Sequence, residues 1–532
     1  MPNFNLVDES WIPCIFARGG RTKELGLRDT LVRATEIREM FDPSPLVTVA
    51  LHRLLLAILH RRFGPSSLDE WRALWKRGAW DQPALDAYFR EQHSRFDFFD
   101  EERPFYQTPR MDDADRRPAL RLAFGAAAGN NPTLFDHNCD DTPASLSPAE
   151  AARHVVATQA FAIGFGKSKP IYFQDTPLVR GFTVLAVGDN LFETLALNLV
   201  AYNNSDPFRR TDDDCPAWER NDRRIPTSRG TYPEGYLDYL TWQGRRIHVV
   251  PEGEPVRIAQ CQIQQNLKLA GGSDVFFDPF KCYKVDVKAG TFPLGLSAER
   301  ALWRDSHTLF QQAEPTLQRP RLFNWLARID RLRRSGQIEA RTEYSLAVFG
   351  LATDPGKPAS VTLWRHERLP LLLAYLEDRE LLDALRRALS LTEEAARALR
   401  DAGWALASQL LAPQWDPAQT KTRTKTRQPR REDIQPLADN LAVERFYWPR
   451  LEIPFRHLLV ALPADPAAPD SEVGYGESVL PGWTRTVVAA ARQAFRAATA
   501  SLDTSARTYK AVARARQPFE RRLHALLPGD QK

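Results

Sequence analysis

The chain has 532 residues, 43% hydrophobic and 26% charged, the composition of a folded globular protein rather than a disordered or low-complexity one. Its 72 basic and 67 acidic residues leave a net charge of +5, too small an excess to name a polyanion partner by itself. Five cysteines (Cys14, Cys139, Cys215, Cys261 and Cys282) with no C-x-x-C spacing argue against a disulfide framework or zinc ribbon and fit a reducing cytoplasm.

From the start, Met1-Pro2-Asn3-Phe4-Asn5-Leu6 lacks the pattern of a signal peptide. Residues 4–7 read as a short strand, and Trp11 beside Ile12-Pro13 as a core anchor. Residues 46–59 form the most apolar helix, opened by Ser44-Pro45 and closed before Gly64. At that length, shorter than the ~20 residues of a membrane span, it is a buried core helix, and no membrane association is expected. Helices follow near 68–75 and 84–93. The turn Arg103-Pro104-Phe105-Tyr106-Gln107-Thr108 carries two aromatics that read first as packing.

The stretch from Ala128 to Gly166 is the most distinctive. Asn130-Asn131-Pro132-Thr133-Leu134-Phe135-Asp136-His137 is turn chemistry with two large apolar residues inside it. Ser147-Pro148-Ala149-Glu150 is a capping box with proline at the first helical position. The helix it opens ends before the glycine loop Gly164-Phe165-Gly166-Lys167-Ser168-Lys169-Pro170. A rigid helix thus joins an aromatic-bearing loop to a cation-bearing one.

Beyond it, 182–187 has strand character and 191–200 helical character. Strands are expected at 246–250, 256–263 and 281–288, the last alternating Tyr283, Val285 and Val287 against Lys284, Asp286 and Lys288. Helix resumes near 298–310 and 321–334. No βαβ rhythm appears, so the class is α+β. From about residue 370 the chain reads as helices: 371–389, a second opened by the capping box Ser390-Leu391-Thr392-Glu393 and running to 411, a third within 437–462 interrupted by Pro449 and Pro454, and a final pair at 484–500 and 503–527. The expected organisation is a large mixed N-terminal domain, 1–369, followed by a C-terminal four-helix bundle, 370–532. Ten Lys/Arg from Arg485 onward face only three acids, Asp503, Glu520 and Asp530, and Lys421, Arg423, Lys425, Arg427, Arg430 and Arg431 lie in the preceding connector, so this part is basic.

Catalytic signatures are absent: there is no G-x-x-x-x-G-K-[ST], H-E-x-x-H or G-x-S-x-G. His137 with Cys139, and the run Asp212-Asp213-Asp214, are the groupings a hydrolase would need; a surface acid run paired to nearby arginines is the simpler reading of the second.

Three motifs, Asn5-Leu6-Val7-Asp8-Glu9-Ser10-Trp11-Ile12-Pro13, Pro104-Phe105-Tyr106-Gln107-Thr108 and Leu134-Phe135-Asp136-His137, in this order and spacing, resemble the large subunit of the type I-E CRISPR Cascade complex, the CasA family. The resemblance implies a non-catalytic protein of an antiviral RNA-guided complex, without cofactor or metal. It assigns Phe135, Asp136 and His137 to the 5′ handle of CRISPR RNA, where aromatic and imidazole rings stack on splayed bases. It assigns reading of the protospacer-adjacent motif in double-stranded DNA to three elements. These are the glycine loop with Gly164 and Gly166, where backbone approaches the groove without Cβ; a lysine, Lys288 with Lys284 as the alternative; and a wedge at Lys357-Pro358-Ala359. Pro358 stands where the family's known wedge has glutamine, so motif preference stays open. The implied partners are CRISPR RNA, target DNA, the backbone and small subunits of Cascade, and a helicase-nuclease recruited after target binding, all in the cytoplasm. The rival reading is a metal-dependent nucleic-acid hydrolase using His137, Asp140 or Asp212–Asp214.

Overall fold

The computed structural model describes residues 2–123, 145–164, 174–202, 211–222, 224–270, 278–286, 288, 290–296, 300–311, 316–354, 357–413, 429–465 and 475–527. Phe135, Asp136, His137, Cys139, Asp140 and Gly166 lie outside these residues. The chain divides into two compact units, Met1–Leu302 with Gln311–Leu376, and Trp303–Phe310 with Glu377–Lys532. The short Trp303–Phe310 segment belongs to the second unit although it precedes the mixed unit's last strands.

The first unit is built around the helix Pro45–Phe63, in which every residue from Leu46 to His60 is buried. A helix apolar on all sides must be enclosed, and the helices Pro148–Phe161, Leu191–Asn198 and Tyr236–Leu240 and a long hairpin surround it. Arg53, at its centre, is 8% exposed. Its guanidinium donates to Tyr239 O (2.7 Å), Leu240 O (2.9 Å) and the Asp278 carboxylate (3.0 Å), so the buried charge is fully partnered. His52 beside it is pushed down to about 4 by burial and is neutral near pH 7.

Four antiparallel three-stranded sheets flank this core. The first orders Thr22–Leu25, Ile12–Phe16 and Ile37–Met40. Residues 4–7, expected as a strand, form a turn instead, because Asn5 caps it with its own side chain to Val7 N (3.0 Å). Trp11 is fully buried and donates to Leu6 O (2.9 Å), as a core anchor should. A second sheet sets Arg257–Gln265 between Arg245–Glu252 and Arg117–Pro118. A third holds Tyr283–Asp286 between Gly290–Pro293 and Leu317–Gln318. The fourth packs Phe182–Val187 against the hairpin Glu343–Asp354/Lys357–Leu372. The expected helix over 298–310 is confined to Ser306–Phe310 behind one 3-10 turn.

The second unit is helical. A single helix, Arg379–Leu411, runs through 33 residues, about 50 Å at 1.5 Å per residue. The expected break at residues 390–393 does not occur: Thr392 is buried, and its hydroxyl donates to Ala388 O (2.8 Å) within the helix rather than capping a new one. The expected start at 371 also fails, since the strand Lys357–Leu372 occupies it and the helix begins after the Asp378 cap. Val479–Thr499 and Ala506–His524 pack on the long helix. The third position of the bundle is broken into Arg431–Leu441 and Trp448–Ala461 at Ala442, whose φ is +44°. Trp303 packs on Trp448 and Phe455, and Arg304 lies over the Trp448 ring while pairing with Glu393 (2.8 Å).

Candidate nucleic-acid interface

The helix Pro148–Phe161 forms as its sequence dictates. Ser147 Oγ accepts from Glu150 N (3.2 Å) and Glu150 Oε2 accepts from Ser147 N (2.8 Å), completing the capping box. Arg153 fastens the helix to the N-terminal sheet through Trp11 O (2.8 Å), Glu24 (2.7 Å) and Asp42 (3.2 Å). With 14 residues it is about 21 Å long, which sets the spacing between the loops at its two ends.

The two ends of 124–144, the segment carrying Phe135, Asp136 and His137, meet on one strand. On the entering side Arg117 pairs with Cys261 and Pro118 with Gln260. On the leaving side Leu146 exchanges both backbone hydrogen bonds with Ile258 (2.9 and 2.8 Å), and Arg257 donates to Ser145 O (2.8 Å). The chain entering and the chain leaving this long segment are therefore both paired to the one strand Arg257–Gln265. Cys261, buried here, is pushed up to about 12 by burial, so it stays a protonated thiol.

At the other end of the helix the base of the glycine loop is closed just as firmly. Thr176 N donates to Ala162 O (3.0 Å) and Leu178 N to Ala160 O (2.9 Å). Buried Arg245 donates to both sides, to Ala162 O (2.9 Å) and Gln174 O (2.8 Å). Gly164 N donates to Asp175 Oδ1 (2.7 Å). A Cβ on Gly164 would lie 2.6 Å from Gln174 N. The missing side chain is therefore already used within the chain, by the close crossing of residues 164 and 174. The crossing is thus a reason within the chain itself for glycine at 164, beside the ligand approach expected of it.

From this base a hydrogen-bonded line leads to the hairpin expected to carry the wedge. Asp175 Oδ2 accepts from Arg180 Nε (2.5 Å), and Arg180 Nη1 donates to Thr353 Oγ1 (3.1 Å), near the tip of the Glu343–Asp354/Lys357–Leu372 hairpin. The ladder there is irregular. Ala352 pairs with Leu363, Thr353 with Val361, but Asp354 with Lys357. One step on the first strand thus matches four on the second, and among the described residues 358–360 have no cross-strand partner. Proline has no N–H to give a ladder, and such bulges concentrate beside functional sites. Lys357-Pro358-Ala359 accordingly stands at the rim of the ladder and partly outside it.

The lysine element is anchored at the same place. Lys281, 3% exposed, donates to Pro177 O (2.7 Å) and Arg180 O (2.5 Å), and burial pulls its ammonium down to about 8. A Cβ on Gly181 would meet Pro293 at 2.6 Å, so the hairpin Tyr283–Asp286/Gly290–Pro293 lies directly against the chain following Arg180. The expected strand through Lys288 ends at Asp286. Lys288 is an exposed turn residue whose N–H donates to Asp286 Oδ1 (2.8 Å), because the aspartate side chain competes for the backbone. Lys284 is exposed on the strand, opposite exposed Phe292.

The linking residues Asp175, Arg180, Arg245 and Lys281 carry no sequence signal: Asp175, Arg245 and Lys281 act on backbone atoms distant in the chain, and Arg180 on the side chains of Asp175 and Thr353. The hairpin did have one, Pro355-Gly356 between two β-branched and aromatic runs.

Among the described residues the acid run makes no ion pair; Arg209 and Arg210, expected beside it, lie outside them. Asp214 is buried and accepts from Leu237 N (3.0 Å) and Asp238 N (2.9 Å), capping the helix Tyr236–Leu240 with both oxygens. Among the described residues no group of three or more His, Cys, Asp or Glu is placed to hold a metal, and no helix is long and apolar enough to cross a membrane.

The sequence profile described as CRISPR-associated protein Cse1 matches residues 5–494. A CRISPR-associated protein CasA/Cse1 of Thermus thermophilus is 30% identical over 541 aligned positions, covering 99% of this chain and 98% of the relative. The crystal structure of Cse1 from Acidimicrobium ferrooxidans superposes with a TM-score of 0.78 at 27% identity, covering 99% and 98% of the two chains. A chain of a solved CRISPR RNA-guided surveillance complex has a TM-score of 0.74 at 22% identity over 98% and 100%, a likeness of fold.

Proposed function

This chain belongs to the CRISPR-associated Cse1 family, and from that premise we propose that it is the large, non-catalytic subunit of a cytoplasmic type I-E Cascade complex. Its partners are CRISPR RNA, double-stranded target DNA, the backbone and small subunits, and a helicase-nuclease recruited after target binding. Guide pairing reads the target sequence, while this subunit reads a short duplex motif and starts strand separation, a division used by other RNA-guided effectors. Phe135, Asp136 and His137 hold the RNA 5′ handle. Gly164 and Gly166, Lys288, and Lys357-Pro358-Ala359 act on the duplex. A backbone-rich reader in the minor groove discriminates weakly between A·T and T·A, so several motifs are tolerated. A proline-bearing wedge intrudes between base steps as apolar wedges do.

The observation that carries this reading is the line Gly164–Asp175–Arg180–Thr353, with Lys281 on the Arg180 carbonyl. Three elements far apart in sequence are tied to one another by two part-buried bonds, Gly164 to Asp175 and Lys281 to the Arg180 carbonyl, and two exposed ones made by the Arg180 guanidinium. A reader that must place loop, lysine and wedge on adjacent base pairs needs such a frame. The basic helix Ala506–His524 adds phosphate contacts, which make affinity fall with salt.

Binding of assembled complex to duplex and pre-melted targets tests the reading. Lys288→Ala is expected to weaken duplex binding with little change on the pre-melted target. Equal loss on both makes Lys288 a general phosphate contact and removes it from motif reading. Phe135→Ala is expected to weaken docking of the subunit onto RNA-loaded complex; unchanged docking rejects the handle role.

A further inference from the structure

The motif Pro104-Phe105-Tyr106-Gln107-Thr108 takes no part in the elements above, yet it is held in an unusual shape. Tyr106 has φ +57°, a left-handed conformation uncommon for a residue with a Cβ. It persists because its surroundings over-determine it: Tyr106 O accepts from Gln159 (3.2 Å), Gln107 bonds Phe98 O (2.8 Å) and Val249 N (3.0 Å), and Thr108 N donates to Ile247 O (2.7 Å). This segment lines an open cleft of about 1020 Å³, far more than one phosphate fills.

The cleft is lined by guanidinium groups with free capacity. Arg95 and Arg103 both donate to one neutral acceptor, Asn221 Oδ1 (2.6 and 2.9 Å). Glu102 and Asp222 also line the cleft, but among the described residues no carboxylate pairs with Arg95 or Arg103. Two like charges drawn to a single amide oxygen form a fork awaiting an anion. Deeper in, Arg220 and Arg224 share Glu234 and Asp238, while Arg220 Nε and Arg224 Nη1 are buried with no partner among the described residues. At the rim Ile225 is 80% exposed.

We infer that this cleft is a second nucleic-acid site, separate from the duplex-reading elements, which holds a short single strand by its phosphodiester groups, with a base lying on Ile225. A single strand offers both required chemistries in alternation, an anion for the arginine forks and a flat apolar face for the aliphatic rim. A duplex presents its bases stacked and cannot supply the second. The inference does not depend on the motif-reading assignment.

The test uses the full chain with fluorescein-labelled RNA and DNA octanucleotides, read by anisotropy across a potassium chloride series. Asn221→Asp is nearly isosteric and supplies the carboxylate that the fork lacks. It is expected to weaken octanucleotide binding about tenfold without lowering the melting temperature. Arg95→Ala/Arg103→Ala is expected to flatten the slope of log K against log salt by about 1.4, since each single-strand phosphate contact contributes roughly 0.7. Ile225→Asp is expected to weaken binding as well. RNA bound more tightly than DNA assigns the strand to RNA; equal binding supports any single strand. Unchanged affinity and slope in the first two variants overturns the site. Displacement by a heptaglutamate peptide at the octanucleotide's own concentration overturns the nucleic-acid assignment.

Discussion

Gly164→Ala isolates what the glycine loop's closure is worth. The new Cβ would lie 2.6 Å from Gln174 N, 2.8 Å from its carbonyl carbon and 2.9 Å from its oxygen. All three are backbone atoms, so no rotamer change relieves the contact. Reaching an ordinary 3.4 Å from the nitrogen requires 3.4 − 2.6 = 0.8 Å of opening. That opening strains Gly164 N–Asp175 (2.7 Å), Thr176 N–Ala162 O (3.0 Å) and the two-sided grip of Arg245. Overpacking of this kind costs about 1–3 kcal/mol. The cost falls on a local opening, so protection of the 176 and 178 amides against hydrogen exchange is expected to drop about 5- to 150-fold in the free protein. Exchange followed by mass spectrometry on peptides spanning 160–180 reads this directly. Unchanged protection together with weakened duplex binding refutes the reasoning, because glycine would then be needed for DNA and not for the crossing with residue 174.

Three further perturbations probe the frame. Ser147→Ala removes the acceptor for Glu150 N and is expected to cost about 1 kcal/mol in urea unfolding; no loss means the capping box is idle. Arg53→Met strands the Asp278 carboxylate in the core and is expected to cost about 3–5 kcal/mol, partly recovered in Arg53→Met/Asp278→Asn; failure of the second change to recover any of it argues against an ion-pair origin. Lys281 supplies a pH signature. Its ammonium sits near 8 in the folded chain against 10.5 unfolded, so below about 8 the proton is held in both states and the burial cost is borne in full. Between about 8 and 10.5 the unfolded chain keeps a proton that the folded chain has released, so stability rises with pH. Lys281→Met is expected to abolish that rise relative to the parent in denaturant titrations at pH 7.5 and 10; an unchanged difference between the two pH values removes Lys281 as its source.

The parts legible in the sequence were those whose cause is local. Ser147 and Glu150 are three residues apart, and their box forms where it was read. The helix Arg321–Arg334 and the strand Phe182–Val187 match their expected limits, the strand because its run of β-branched and aromatic residues is local. The long hairpin was missed because leucines at 369 and 371 feed smoothly into the helical pattern that follows, while the partners that make them a strand, Leu346 and Tyr344, lie more than twenty residues earlier. Ser390-Leu391-Thr392-Glu393 misled for the converse reason: a local capping pattern was overridden by burial of Thr392 along a continuous helix. In the candidate interface, chemistry-bearing residues were readable, but the residues that gather them act on carbonyls and side chains distant in the chain. Arg245, Arg180 and Lys281 look like ordinary surface cations until the chain is folded.

The unequal hairpin has a consequence for how this protein diversifies. From Glu343↔Leu372 to Ala352↔Leu363 the ladder is continuous, and everything irregular is collected beyond it. A register slip that shortened the excess would draw Pro358 into a position needing an N–H, so the ladder cannot absorb the tip. Changes confined to 358–360 are therefore expected to leave the register of the ladder below them intact. Under the proposed reading of this tip as a wedge on the duplex, motif preference can change there without a matching change in the core.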